Sequence, residues 1–145
     1  MAEELFRRSF KIHGRDFDKA GETSTEIKAI LKSLSIDAGV IRHAVVVAFE
    51  AEMNVVMYAD EGTMTFVLTD EAIGIEVADV GPGIPDLELA MQEGYSTASD
   101  EMRELGFGFG MGLPNIKRNS DTLSITTEVG KGTTVSSHIL LDSHE

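Results

Sequence analysis

The chain has 145 residues, 42% of them apolar, and a mean hydropathy of −0.02, which excludes a disordered polymer and predicts one globular domain spanning residues 1–145. Twenty-five acidic residues against 12 basic ones give a net charge of −13, which argues against nucleic acid or an anionic membrane as the main partner. The lack of cysteine excludes disulfides and thiolate metal sites, and the acidic start without a long apolar run predicts neither signal peptide nor membrane span, hence a cytoplasmic location.

Phe6 to His13 reads as a first strand, with Asp16 or Asp18 available to cap the helix that follows. In that helix Ile27, Ile30, Leu31 and Leu34 fall at i, i+3, i+4 and i+7, an amphipathic stripe. Ser35 to Gly39 breaks it, and Asp37 is placed to cap a second helix, nearly all apolar from Val40 to Ala59. Asp60-Glu61-Gly62 reads as a turn. Thr63–Leu68 and Ile73–Val80 then form an antiparallel hairpin. Two glycine-rich segments follow, at 81–83 and 106–112, separated by a polar stretch. Leu113–Ser120 reads as a helix, and Leu123–Glu128 and Thr133–Leu141 as strands joined by a tight turn at Gly130-Lys131-Gly132. This order suits an α+β fold, a two-layer α/β sandwich with helices on one face of a mixed, mostly antiparallel sheet.

Three places carry chemistry. Glu50 and Asn54 stand four residues apart, on one face of an apolar helix, where a carboxylate and a carboxamide are costly unless both find partners. A Mg²⁺ ligand beside an acid or base would supply the reason. Bonds to each other, to Glu52, to Tyr58 or to solvent are the plainer alternative. Asp79-Val80-Gly81-Pro82-Gly83 ends an apolar strand, where the aspartate can accept from an exocyclic amino group and Gly81 and Gly83 admit a ligand to the main chain. A capped Pro-Gly turn is the alternative. Gly106, Gly108, Gly110 and Gly112 alternate with apolar residues and lead into a helix, which suits a loop whose N–H groups converge on phosphate. The spacing matches neither the dinucleotide fingerprint nor the P-loop. The four histidines, at 13, 43, 138 and 144, show no metal-ligand spacing.

Taken together, these segments resemble the GHKL superfamily of ATP-binding domains (the Bergerat fold). Asn54 matches its asparagine box, Asp79 to Gly83 the first glycine box, Gly108 to Leu113 the second, and Gly132-Thr133-Thr134 the threonine-bearing element. The matches fall in order across roughly residues 45–135. Within the superfamily the chain is most similar to small bacterial serine/threonine kinases of the anti-sigma type, especially the stressosome switch kinase. One domain without a phosphoacceptor-histidine hairpin, Glu50 four residues before Asn54, and the run Gly110 to Arg118 carry that likeness.

The resemblance implies ATP and Mg²⁺ as cofactors. Asn54 would hold the metal, which offsets phosphate charge in an acidic protein. Glu50 would be the general base and Arg103 would lie near the γ-phosphate. Asp79 would read adenine, assisted by Thr133 or Thr134, and Gly108, Gly110, Gly112 and Leu113 would line the phosphates. Residues 93–105 would form a mobile lid. The implied partner is a small STAS-domain regulatory protein as substrate, with a downstream regulator as a second target. Two other functions remain: a nucleotide-gated binding module with little phosphotransfer, and the ATPase half of a histidine kinase.

Overall fold

The computed structural model describes residues 2–92 and 112–142. Five strands form one sheet in the order β1-β2-β3-β5-β4, with β1 at Glu4–His13, β2 at Glu61–Thr69, β3 at Ala72–Val80, β4 at Thr122–Glu128 and β5 at Gly132–Leu140. Every described pair is antiparallel, the antiparallel extreme of the mixed sheet expected. Between β1 and β2 the chain makes a 3-10 turn at Phe17–Lys19, helix α1 at Glu22–Ser33 and helix α2 at Ala38–Tyr58. The short helices α3 at Leu87–Ala90 and α4 at Gly112–Arg118 lie between β3 and β4.

Alternation along the strands decides which face is covered. Phe10, Ile12, Met64, Phe66, Ile73, Ile75, Val77, Val135 and Ile139 point to one side and are buried with α1 and α2. α2 crosses that side, touching β1, β2, β3 and β5. It buries Val40, Ala44, Val47, Ala48, Ala51, Val55 and Val56, each apolar side chain of valine size contributing about 1.5–3 kcal/mol. Asp37 caps α2 as expected, its carboxylate accepting from Gly39 N–H at 3.0 Å. Among the described residues no helix is long and apolar enough to cross a membrane.

Two local expectations are corrected. Neither Asp16 nor Asp18 caps α1. Gly21 holds the N-cap position with φ 98° and no side-chain cap of its own. The N–H groups of Gly21, Thr23 and Ser24 are instead taken by the buried Glu52 carboxylate of α2, at 3.0, 3.3 and 3.0 Å. A charged acceptor satisfies the orphan donors of a helix start and favours its positive dipole end, so α1 is capped across the fold. Glu61 and Gly62 are also not a turn but the start of β2, paired with Val80 and Asp79. Glycine at 62 serves packing, since a Cβ there would lie 2.8 Å from a Val55 methyl.

Candidate functional site

Glu50 and Asn54 lie on the face of α2 that meets α4, and both are half-buried. A Cβ on Gly112 would lie 3.2 Å from Asn54 Oδ1 and 3.5 Å from Glu50 Oε2, so the start of α4 rests directly on these two polar groups. A Cβ there would crowd Asn54 Oδ1 by a few tenths of an ångström. Burial pushes the Glu50 carboxyl above its ordinary range, and a hydrogen bond from the Asn115 side chain partly opposes that rise. Asn115 is one helical turn beyond Gly112, on the same side of α4. Glu52 is not the partner of this pair, because its carboxylate is committed to α1.

The C-terminal end of β3 forms the second cluster. Asp79 is half-buried, its carboxyl raised by burial and partly restored by Thr133 N–H, which donates to Oδ1 at 2.9 Å. Gly132 makes this possible. Its φ is 153°, and a side chain there would overlap the Asp79 carbonyl oxygen. The Thr133 hydroxyl meets Thr127 Oγ1 at 2.9 Å, and Thr127 Oγ1 accepts from Ile84 N–H at 2.8 Å. Gly81 packs on Ala59, and Gly83, with φ 73°, packs on the Glu128 carbonyl, so the first glycine segment lies close against the protein's own backbone.

These two clusters share a framework. Val55, next to Asn54, packs on Gly62, and Gly62 pairs with Asp79 across the β2–β3 ladder. Thr133 points to the helix side with Asp79, whereas Thr134 is on the opposite face of the strand, so only Thr133 joins the cluster. Leu113 is buried in the hydrophobic core. Arg103, Gly108, Gly110 and the expected lid at 93–105 lie outside the described residues.

Reasoning from the sequence missed Thr127 and Asn115. The signal for Asn115 was a poor helix former at the third position after Gly112, on the side of Glu50. Thr127 offered only its place on the inward face of β4.

Chemically, the first cluster joins a hard carboxamide oxygen to a carboxylate with a raised affinity for protons. The second offers a carboxylate whose Oδ2 has no hydrogen bond among the described residues. No group of three His, Cys, Asp or Glu among the described residues could hold a metal. Asn54 Oδ1 is a hard oxygen of the kind Mg²⁺ accepts as a ligand.

Comparison with known proteins bears on this arrangement. The serine/threonine-protein kinase RsbT of Bacillus subtilis (strain 168) is 32% identical over 90 residues, covering 59% of this chain and 62% of its own. The anti-sigma F factor of Caldanaerobacter subterraneus subsp. tengcongensis is 36% identical over 91 residues, covering 59% and 60%. That of Geobacillus stearothermophilus is 26% identical over 118 residues, covering 81% and 70%. The matches thus span about three-fifths of the length of the first two relatives. Residues 39–143 match the family described as histidine kinase-, DNA gyrase B- and HSP90-like ATPase, a span that holds both clusters, and the chain belongs to that family of ATP-binding domains.

Proposed function

We propose that this chain is an ATP- and Mg²⁺-dependent protein serine/threonine kinase of the anti-sigma regulatory type, acting in the cytoplasm on a small STAS-domain partner. The observation that carries the reading is the convergence of Glu50 and Asn54 on Gly112. A nucleotide-binding domain needs the carboxamide, and a half-buried carboxylate beside it that caps no helix is placed to take a proton.

In this reading Asp79 accepts from the adenine amino group, supported by Thr133, and Gly81, Gly83, Gly108, Gly110 and Gly112 shape the nucleotide cradle. Asn54 would hold Mg²⁺, whose charge would offset that of the phosphates. Glu50 takes the proton of a serine or threonine hydroxyl as that oxygen forms its bond to the γ-phosphorus. The bond from that phosphorus to the β–γ bridging oxygen breaks, and ADP leaves. Arg103 is assigned near the γ-phosphate by resemblance alone. The name of the Bacillus relative, a serine/threonine-protein kinase, supports the same reaction class.

Radiolabelled ATP with recombinant STAS-domain proteins tests the proposal. Glu50→Ala is expected to lose phosphotransfer by about 10²-fold or more while still binding ATP. Asn54→Ala is expected to lose ATP binding itself. Transfer by Glu50→Ala at the wild-type rate overturns the general-base role, and an acid-labile product would point to histidine phosphorylation instead.

A second reading has its own support, because two of the relatives above are named anti-sigma F factors. There the domain is a nucleotide-gated regulator that holds a partner with little phosphotransfer. Partner binding that depends on ATP, without phosphoprotein, would favour it.

A further inference from the structure

Three bonds lay the loop after β3 on the turn between β4 and β5. Gly81 N–H donates to the Lys131 carbonyl at 3.1 Å, and Gly130 N–H donates to the Pro82 carbonyl at 2.8 Å. These two run backbone to backbone. The third does not: Ile84 N–H donates to Thr127 Oγ1 at 2.8 Å, so a side chain of β4 holds the end of the loop. Pro82 followed by Gly83 at φ 73° makes a turn, and in a closed turn the Ile84 N–H returns to the Gly81 carbonyl. Here that N–H is given to Thr127 instead.

Thr127 is joined in turn to the residue that holds Asp79. Its register partner across β4 and β5 is Thr133, and the two hydroxyl oxygens are 2.9 Å apart. Thr133 is buried, and its N–H donates to Asp79 Oδ1 at 2.9 Å. A continuous chain of bonds therefore runs from the loop through two hydroxyls to the amide that holds Asp79. The chain has a direction. Thr127 Oγ1 accepts from an N–H, and its own proton has two oxygens in reach, Thr133 Oγ1 at 2.9 Å and the Gly132 carbonyl at 3.4 Å. Thr133 is the nearer. Accepting the N–H bond also polarises the Thr127 hydroxyl toward donation. With its oxygen so occupied, Thr133 has its own proton to give away from Thr127.

We propose that Thr127 is a positioning residue that sets base specificity, fixing Thr133 as a donor beside Asp79 as an acceptor. This rests on Asp79 reading the adenine amino group. Adenine offers a donor, its 6-amino group, next to an acceptor, ring N1. Guanine has the two reversed, a 6-carbonyl next to N1–H. An acceptor at Asp79 with a donor at Thr133 complements adenine and opposes guanine at both positions. Without Thr127 the Thr133 hydroxyl is free to turn and accept from N1–H, and that part of the discrimination is lost. Thr127 itself touches no nucleotide in this scheme.

Calorimetric titration of the full chain with Mg-ADP and Mg-GDP tests this, because the inference concerns the base and not the transferred phosphoryl group. Wild type is expected to favour ADP. Thr127→Val keeps the branched shape in the strand and removes the hydroxyl. It is expected to lower the ratio of ADP to GDP affinity about 5- to 20-fold. A merely structural role would weaken both nucleotides alike. Thr127→Ser, which keeps a hydroxyl, is expected to hold the ratio within about 3-fold of wild type. In Thr127→Val/Thr133→Val the ratio is expected to match that of Thr133→Val alone, since Thr127 acts through Thr133.

An equal loss of ADP and GDP in Thr127→Val, or a Thr127→Ser ratio as low as that of Thr127→Val, overturns the proposal. So does a double variant whose ratio falls well below that of Thr133→Val. Asp79→Asn separates this inference from the reading on which it rests. Equal affinities in the wild type, or a wild-type ratio in Asp79→Asn, mean that the adenine reading itself has failed. If Asp79→Asn lowers the ratio while Thr127→Val leaves it unchanged, this inference fails alone. Should Thr127→Val not fold, Thr127→Ala serves in its place, with the same ratio expected.

Discussion

Among the described residues, Glu50 and Asp79 are the two carboxyls that burial pushes above their ordinary range. Each has a higher proton affinity folded than unfolded. The stability they contribute is therefore complete below the unfolded value and is lost as pH rises through the folded one. Wherever they are ionised, that ionisation is at a cost to the fold. Glu50→Gln and Asp79→Asn keep the shape and an accepting oxygen for Asn115 and Thr133. Each is expected to raise the melting temperature of the nucleotide-free protein at pH 7, the gain disappearing below about pH 4, where the carboxyls are neutral. Melting curves across pH check this, and an equal gain at both ends would contradict it. A base must be ionised, so the acid limb of phosphotransfer should lie above the ordinary glutamate value. At this scale the sequence exposed Glu50 and Asn54 because polar groups on an apolar helix face call for an explanation. It did not expose Asn115, whose partner lies 65 positions away in the numbering.

Helix α1 illustrates what an element owes to the rest of the fold. Its apolar stripe was readable, and Ile27 and Leu31 are fully buried. Its cap was not, because Asp16 and Asp18 are near in sequence while Glu52 is near only in space. Glu52→Ala would strip three N–H groups of their acceptor at a partly buried helix start, and is expected to cost about 2–4 kcal/mol. Glu52→Gln, with one accepting oxygen in place of two, should cost less. Denaturant midpoints measure both, and a cost for Glu52→Ala under about 0.5 kcal/mol would mean that solvent replaces the carboxylate freely. Glycine was similarly ambiguous at the level of elements. Gly62 looks like a turn residue beside Asp60 and Glu61, yet it is a strand residue that makes room for Val55.

Over the whole molecule, the Asp79–Thr133 bond and the approach of Gly112 to Glu50 and Asn54 belong to the folded state alone, so a nucleotide held there stabilises the fold by mass action. Mg-ATP at 100 times its dissociation constant is expected to add about 2.7 kcal/mol. That gain should shrink when EDTA removes the metal, vanish in Asn54→Ala, and be smaller with GTP, which lacks the amino group assigned to Asp79. Thermal shifts in these four conditions report it, and equal shifts with ATP and GTP would remove Asp79 from the adenine reading. What the sequence by itself determined is the kind of protein: an α+β domain whose asparagine and glycine segments occur in the order of an ATP-binding family. Those signals are local, a residue type out of keeping with its helix or strand. Only the tertiary structure decided that Thr133 and not Thr134 meets Asp79, that Glu52 and not an early aspartate caps α1, and that Asn115 reaches Glu50. Each depends on partners brought together by inserting β5 between β3 and β4 and laying α4 along α2, and such contacts leave no periodic trace in the chain.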